Sequence, residues 1–215
     1  MSPESLGDIR WEYQGPALRR TDLAEDPVNL FNAWFEKAKE AEGVRSNVMT
    51  LASLAEGAPD ARVVLLKDVR AEGLVFFTDG SSAKAQQLTA DPRASAVFHW
   101  PALHQQVRIW GEVSKVERQV AEEYFASRPR ESQLAAWTSS QSTPIENRAA
   151  LEGAYQAIAK QFLGKEIPAP EDWTGFALQP QAWEFWQGRP GRLHDRFRYQ
   201  PKEDGNGWEI LRLQP

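Results

Sequence analysis

Four short stretches of this 215-residue chain gather side chains suited to holding an anion. In RVVLLK, Arg62 and Lys67 bracket four apolar residues. Strand alternation puts the two cations on opposite faces unless a bulge intervenes, so they serve different ligand groups or one is simply a strand-end charge. In TDGSSAKAQQL, Thr78, Ser81, Ser82 and Lys84 fall where a strand turns into a helix. Backbone N–H groups with hydroxyls and a lysine suit a phosphate there, although a serine-capped helix with one solvated lysine accounts for the same letters. In YFASRPRES, Tyr124 and Arg128 sit four apart at the end of one helix, and Pro129 disfavours helical geometry at Arg128 while suiting the first turn of the next. With Ser132 one turn in, a phenol, a guanidinium, a hydroxyl and a helix dipole could converge on one phosphate. In FWQGRPGRLHDRF, Arg192, His194 and Arg196 alternate and would share one strand face, either a binding wall or a solvated face. Trp186, just upstream, either covers a planar ligand or fills the core.

Several chemistries are excluded. No cysteine is present, which removes disulfides, thiolate metal sites, iron–sulfur clusters and cysteine nucleophiles. The three histidines, His99, His104 and His194, are not spaced as a metal set, and no metal is expected. GxGxxG, a Walker lysine loop, HExxH and GxSxG are all absent. Twenty-five basic against 30 acidic residues leave a net charge of −5. With a pI near 5.4, that balance argues against general nucleic-acid binding. No apolar run approaches the roughly 20 residues of a membrane span, and the N-terminus lacks a signal-peptide pattern. The expectation is a soluble cytoplasmic protein.

The elements that must carry these clusters are legible from periodicity. Residues 1–20 read as a polar arm ordered where it docks. A helix follows: Asp26 caps it, Pro27 opens it, Leu30, Phe31, Trp34, Phe35 and Ala38 form its apolar stripe, and Gly43 stops it. Strand-like runs come next at 48–54, 61–68, 74–78, 94–100 and 105–116, with only 81–91 long enough for a helical crossover. Helices are expected over 117–128, 130–139 and 144–164, then strands in WTGFALQP, AWEFWQG, LHDRFRYQ and GWEILRLQ. The pattern is α+β: an antiparallel barrel or curved sheet with peripheral helices. Residues 21–215 are expected to form one domain.

In their order along the chain, RVVLLK, SRPRESQLAAW, QST and EFWQGRPGRLHDRF resemble the pyridoxamine 5′-phosphate oxidase family, and the likeness runs from IRWEY to the terminal WEILRLQP. The resemblance implies a homodimeric FMN-binding split barrel with C-terminal dimerisation strands and the flavin at the subunit interface. It implies oxidation of pyridoxamine and pyridoxine 5′-phosphates by O2 to pyridoxal 5′-phosphate, with H2O2 and, from the amine, ammonia. Position by position, it implies flavin contacts at Arg62, Val63, Val64, Leu65, Leu66, Lys67, Phe77, Thr78, Lys84, Gln106, Gln141, Ser142, Trp186 and Arg196. Lys67, Tyr124, Arg128 and Ser132 match the substrate-phosphate set, Arg10 and Tyr13 an arm over the site, and Arg192 and His194 the catalytic pair over the pyridine ring. Ala83 departs from the pattern where many members carry arginine, and Phe77 where some carry tyrosine. The alternatives are a split-barrel flavin oxidase acting on a phenazine-type substrate and a non-catalytic carrier of flavin or pyridoxal phosphate.

Overall fold

A computed structural model describes residues 5–8 and 11–215. Arg10, expected among the substrate contacts, lies outside them. The described chain contains five α-helices: α1 (Pro27–Glu42), α2 (Ala83–Ala90), α3 (Arg118–Ser127), α4 (Arg130–Thr138) and α5 (Arg148–Gln161). Nine strands accompany them: β1 (Val48–Ala55), β2 (Ala58–Leu65), β3 (Asp68–Arg70), β4 (Gly73–Asp79), β5 (Arg93–Trp100), β6 (Gln105–Lys115), β7 (Trp173–Gln187), β8 (Asp195–Pro201) and β9 (Trp208–Leu213). Their hydrogen-bonded order is β2-β1-β5-β6-β7-β4-β3, with β8 on β7 and β9 on β8. The expected α+β pattern of an antiparallel sheet with helices is therefore present. The two strands expected at 173–187 are one. Pro180 falls between the stretch paired with β4, Trp173–Leu178, and the stretch paired with β8, Trp183–Gln187.

Contacts group the chain into two compact units. The first comprises Met1–Thr50, Ala96–Trp110 and Gln181–Pro215. Here Asp26 Oδ1 caps α1 by accepting the Val28 N–H at 2.9 Å, and Gly43 ends it at φ 59°. The apolar stripe of α1 drives an aromatic core. Phe31 lies 5.1 Å from Phe98 and 5.5 Å from Trp183, and Trp34 packs edge-on to Phe185 at 5.3 Å. Each such ring removed from water contributes roughly 1.5–3 kcal/mol. The Trp100 indole donates to Ser46 O and the Tyr199 hydroxyl to Ala24 O, while the buried Trp183 Nε1 has no hydrogen-bond partner among the described residues.

The second unit comprises Leu51–Ser95 and Gly111–Pro180. Glu56 and Gly57, at φ 51° and 84°, turn β1 into β2 through the positive-φ pair that a two-residue hairpin needs. Ala121, Phe125, Leu134, Phe162, Ile167 and Trp173 form a buried cluster joining α3, α4 and the start of β7. This cluster fixes where α3 hands over to α4. Arg128 is extended there (φ −72°, ψ 149°), as the following proline demands, and α4 begins at Arg130.

Candidate active site

In the second unit a cavity of about 510 Å³ opens beside β2, β4, α3 and α4. Of the residues expected from sequence, Val63, Val64, Leu65, Lys67, Phe77, Thr78, Lys84, Tyr124, Arg128, Ser132 and Gln141 line it. Lys67 follows the end of β2, with its N–H donating to Val75 O at 2.8 Å, so its side chain leaves from a fixed backbone. Its ammonium lies 5.8 Å from the centre of the Tyr124 ring. The Arg128 guanidinium stacks 4.3 Å over Trp173 and 5.4 Å from Phe125. Both cations thus rest on aromatic faces, which hold charge in place without neutralising it. Arg128 Nη1 and Trp173 Nε1 are buried and, among the described residues, have no hydrogen-bond partner. Burial also draws the Arg128 pKa down from its ordinary value. An acceptor in the cavity would relieve both conditions.

A second cationic point lies at the N-terminal end of α2. Ser82 caps the helix through its hydroxyl, which accepts the Ala85 N–H, and Ser142 Oγ accepts the Ala83 N–H at 3.3 Å. Lys84 Nζ donates to Gln141 Oε1 and, at 3.1 Å, to Thr78 Oγ1. Asp79, which sequence reasoning did not single out, ties this corner together. Its carboxylate accepts from Ser81 N and Oγ and from Gln141 N, at 2.7, 2.6 and 3.0 Å. Burial works to raise the Asp79 pKa, but those hydrogen bonds outweigh it and hold the carboxyl below the usual range. Lys84 is pushed down by burial and by the positive charge of Arg62, with Asp79 opposing.

Arg62 and Leu66 do not line the cavity. Strand alternation sends Arg62 to the other face of β2. There Nη1 donates to Ser53 Oγ at 2.6 Å, and Nη2 donates to Asp60 Oδ2 and Gln87 Oε1, both at 2.7 Å. The Gln87 amide and Arg62 together hold Asp60 below the usual carboxylate range. Leu66 is buried in the core.

The remaining expected residues lie in the first unit. The alternation expected of Arg192, His194 and Arg196 on a single strand is corrected. Residues Pro190–Arg192 form a 3-10 turn with Gly191 and Arg192 both left-handed (φ 63° and 64°), and β8 begins only at Asp195. Two glycines around Pro190 permit that turn, and a strand would need ladder partners it does not have. His194 Nδ1 accepts the Arg189 N–H at 3.0 Å, and burial, then the nearby Arg192 charge, lowers its pKa below 6.5. The neutral ring therefore carries its proton on Nε2.

Tyr13 packs edge-on to His194, Trp186 and His104 at 5.2, 5.0 and 5.8 Å. It fits because position 188 is glycine: a Cβ there would sit 2.5 Å from Tyr13 Cδ1. Arg196 opposes Trp186 in the β7–β8 register. Glu184, buried and missed at the sequence level, grips Arg196 through Nε and Nη2 at 3.0 and 2.8 Å. Gln106 is half-buried on β6. An alternation of apolar and charged letters marks Glu184 only as a core position, and its partner is visible only in the fold.

The family model described as pyridoxamine 5′-phosphate oxidase matches residues 35–162, and the one described as pyridoxine 5′-phosphate oxidase C-terminal dimerisation region matches 173–215. The chain is 46% identical over 211 residues to the pyridoxine/pyridoxamine 5′-phosphate oxidase of Cupriavidus metallidurans, covering 98% of this chain and 99% of that protein. It is 44% identical over 216 residues to the protein of the same name from Leptospira interrogans, covering all of both. Among solved structures, PhzG from Burkholderia lata, in complex with tetrahydrophenazine-1-carboxylic acid, superposes with a TM-score of 0.86 at 27% identity, over 94% of this chain and 100% of that one. A pyridoxamine 5′-phosphate oxidase-related FMN-binding protein from Nostoc punctiforme shares the fold, with a TM-score of 0.68 at 18% identity over 86% of this chain and 97% of that one. With a matching motif order, matching models over most of its length and full-length relatives at this identity, the chain belongs to the pyridoxine/pyridoxamine 5′-phosphate oxidase family.

Proposed function

We propose that this protein oxidises pyridoxamine 5′-phosphate and pyridoxine 5′-phosphate to pyridoxal 5′-phosphate, with FMN as cofactor and O2 as acceptor. It works as a cytoplasmic homodimer holding the flavin between subunits, with residues 1–20 as an arm on a single flavin-binding domain. Among the described residues no helix is long and apolar enough to cross a membrane. The observation that carries the reading is Arg128: a buried guanidinium nitrogen without a hydrogen-bond partner among the described residues, in a cavity that also presents Lys67, Tyr124 and Ser132. A phosphate dianion offers acceptors to all of them at once.

The residues also fit FMN. Lys84 is half-buried and repelled by Arg62, a state that a flavin phosphate at the α2 N-terminus would relieve. Thr78, Gln141 and Ser142 supply further polar contacts, and the exposed apolar Val63 and Leu65 a wall for the ring system. FMN, when bound, would supply the two-electron oxidising chemistry at the substrate C4′ carbon, with O2 as the final acceptor. The protein does the rest by placement. Lys67, Tyr124, Arg128 and Ser132 hold the substrate phosphate and so set where C4′ lies. Arg192 and His194 orient the C4′ substituent, His194 by donating from Nε2 while Nδ1 stays committed to the Arg189 N–H. Tyr13 shields that face from water. Water hydrolyses the oxidised amine, releasing ammonia.

The likeness to PhzG favours a second reading, a substrate of the phenazine type. A lone carboxylate would engage Arg128 but leave Lys67 and Ser132 without a purpose. One experiment separates the two. Under anaerobic conditions the FMN-saturated protein should bleach on addition of pyridoxine 5′-phosphate and recover on admitting air, with pyridoxal 5′-phosphate and peroxide formed. Flavin that does not bleach with either phosphorylated vitamer overturns the proposal.

A further inference from the structure

Phe77 lines the cavity, and its ring is turned onto Tyr124. The two rings are parallel to within 8°, with centroids 4.1 Å apart. Across the β4–β7 ladder, the residue opposite Phe77 is Gly175. A Cβ at that position would sit 2.7 Å from both Cδ1 and Cε1 of Phe77 and 2.8 Å from Val116 Cγ2. What the glycine supplies is room: the phenyl ring lies where a side chain of β7 would otherwise stand. The strand cannot retreat to restore that room, because the Val116 N–H donates to Gly175 O at 3.0 Å on one side and the β4 ladder holds the other. Any larger residue at 175 must therefore displace the ring of Phe77, and with it the ring stacked upon it. Tyr124 in turn lies under the Lys67 ammonium and lines the same cavity as Arg128 and Ser132.

We infer that Phe77, seated on Gly175, is a positioning residue that fixes the plane of the Tyr124 phenol and thereby the cavity's affinity for the phosphate of its substrate. The inference rests on the function proposed above and adds to it a chain of three residues, Gly175–Phe77–Tyr124, that sets phosphate affinity without Phe77 or Gly175 touching the phosphate.

The test uses the FMN-loaded enzyme with two readouts, the KM for pyridoxine 5′-phosphate and the Kd for pyridoxal 5′-phosphate by equilibrium dialysis. Phe77→Leu removes the flat ring and should raise both about fivefold, the scale of one lost aromatic stack, while kcat moves much less. Phe77→Tyr, which keeps the ring, should rescue both values. In a Tyr124→Phe background the hydroxyl is already gone, so Phe77→Leu should add nothing further to KM. Gly175→Ala should reproduce Phe77→Leu; where that variant fails to fold, the Phe77 and Tyr124 cycle decides alone. A fivefold effect that persists in the Tyr124→Phe background overturns the inference. So does a Phe77→Leu enzyme with unchanged KM and a weakened FMN Kd. Wild-type enzyme that never bleaches with substrate overturns the function itself, whereas active wild type with an indifferent Phe77→Leu variant overturns this inference only.

Discussion

The cavity of the second unit and the Arg192–His194 turn of the first solve different problems. In the cavity, cations rise from the end of β2 and the junction of two helices, stack on aromatic faces, and lie with buried donors that lack acceptors among the described residues. Around Arg192 the chain leaves the sheet, adopts two successive left-handed residues, and leaves Arg192 exposed beside an arm residue packed ring against ring. A non-glycine residue at positive φ persists only where its surroundings require it. On the proposed function, the cations that hold the phosphate sit at the ends of regular elements, just past β2 and between α3 and α4, while the groups beside the reacting carbon sit on a turn.

Substitutions can break that contrast or sharpen it. The largest effect is expected at Arg192. Arg192→Ala should lower kcat about 100-fold by loss of orientation, with the FMN Kd, read by flavin fluorescence, within about twofold. An equal loss in both would make Arg192 a flavin residue and erase the distinction. Next comes Arg128→Met, for which steady-state kinetics should give a KM for pyridoxine 5′-phosphate raised about 30-fold, the scale of a charge-assisted hydrogen bond, at little cost in Tm because a buried charge leaves with it. Arg128→Lys should not restore affinity, since an ammonium cannot reproduce the planar stack on Trp173.

Lys84→Met should weaken FMN about tenfold without altering the KM at saturating flavin. Burial and Arg62 hold the Lys84 pKa below 10.5, so wild-type FMN affinity should fall as pH rises through that lowered value, before free lysine would titrate. A pH titration of the Kd reads this directly, and a flat curve in the wild type would separate Lys84 from the phosphate. The smallest effect is expected at His194. Its pKa is lowered below 6.5, so the neutral, Nδ1-accepting ring is favoured in the folded protein. Protonation sets in only as pH falls below 6.5, toward that lowered pKa, and then opposes the Arg189 N–H donor. kcat should accordingly drop a few-fold on an acid limb centred below pH 6.5, a limb that His194→Gln should abolish.

Much of this was legible in the letters, for local reasons. Asp26, Pro27 and Gly43 bound α1 as their side chains and backbone freedom dictate, and Pro129 breaks α3 from α4 at Arg128. Tyr124, Arg128 and Ser132 were recognisable as a phosphate-type set from residue type and helical spacing, the family resemblance added Lys67, and the fold gathers all four around one cavity. The misreadings are of one kind. Alternation in RLHDR looked like a strand, but a strand needs a ladder, and the ladder begins at Asp195. WTGFALQP and AWEFWQG looked like two strands, but they are one continuous strand that changes partner from β4 to β8 between Leu178 and Trp183.

The sequence by itself determined the chemical inventory and the boundaries of most elements, because capping, turn residues and apolar periodicity act over a few positions. Only the tertiary structure decided which partner each charge would keep. Arg62 spends its donors on Asp60, Ser53 and Gln87, Lys84 finds Gln141 from 57 residues away, and Glu184 grips Arg196 across a strand pair. It also decided that a missing Cβ at Gly175 would let Phe77 lie flat beneath Tyr124. Such meetings depend on the packing of elements remote in sequence, and no local pattern encodes the space between them.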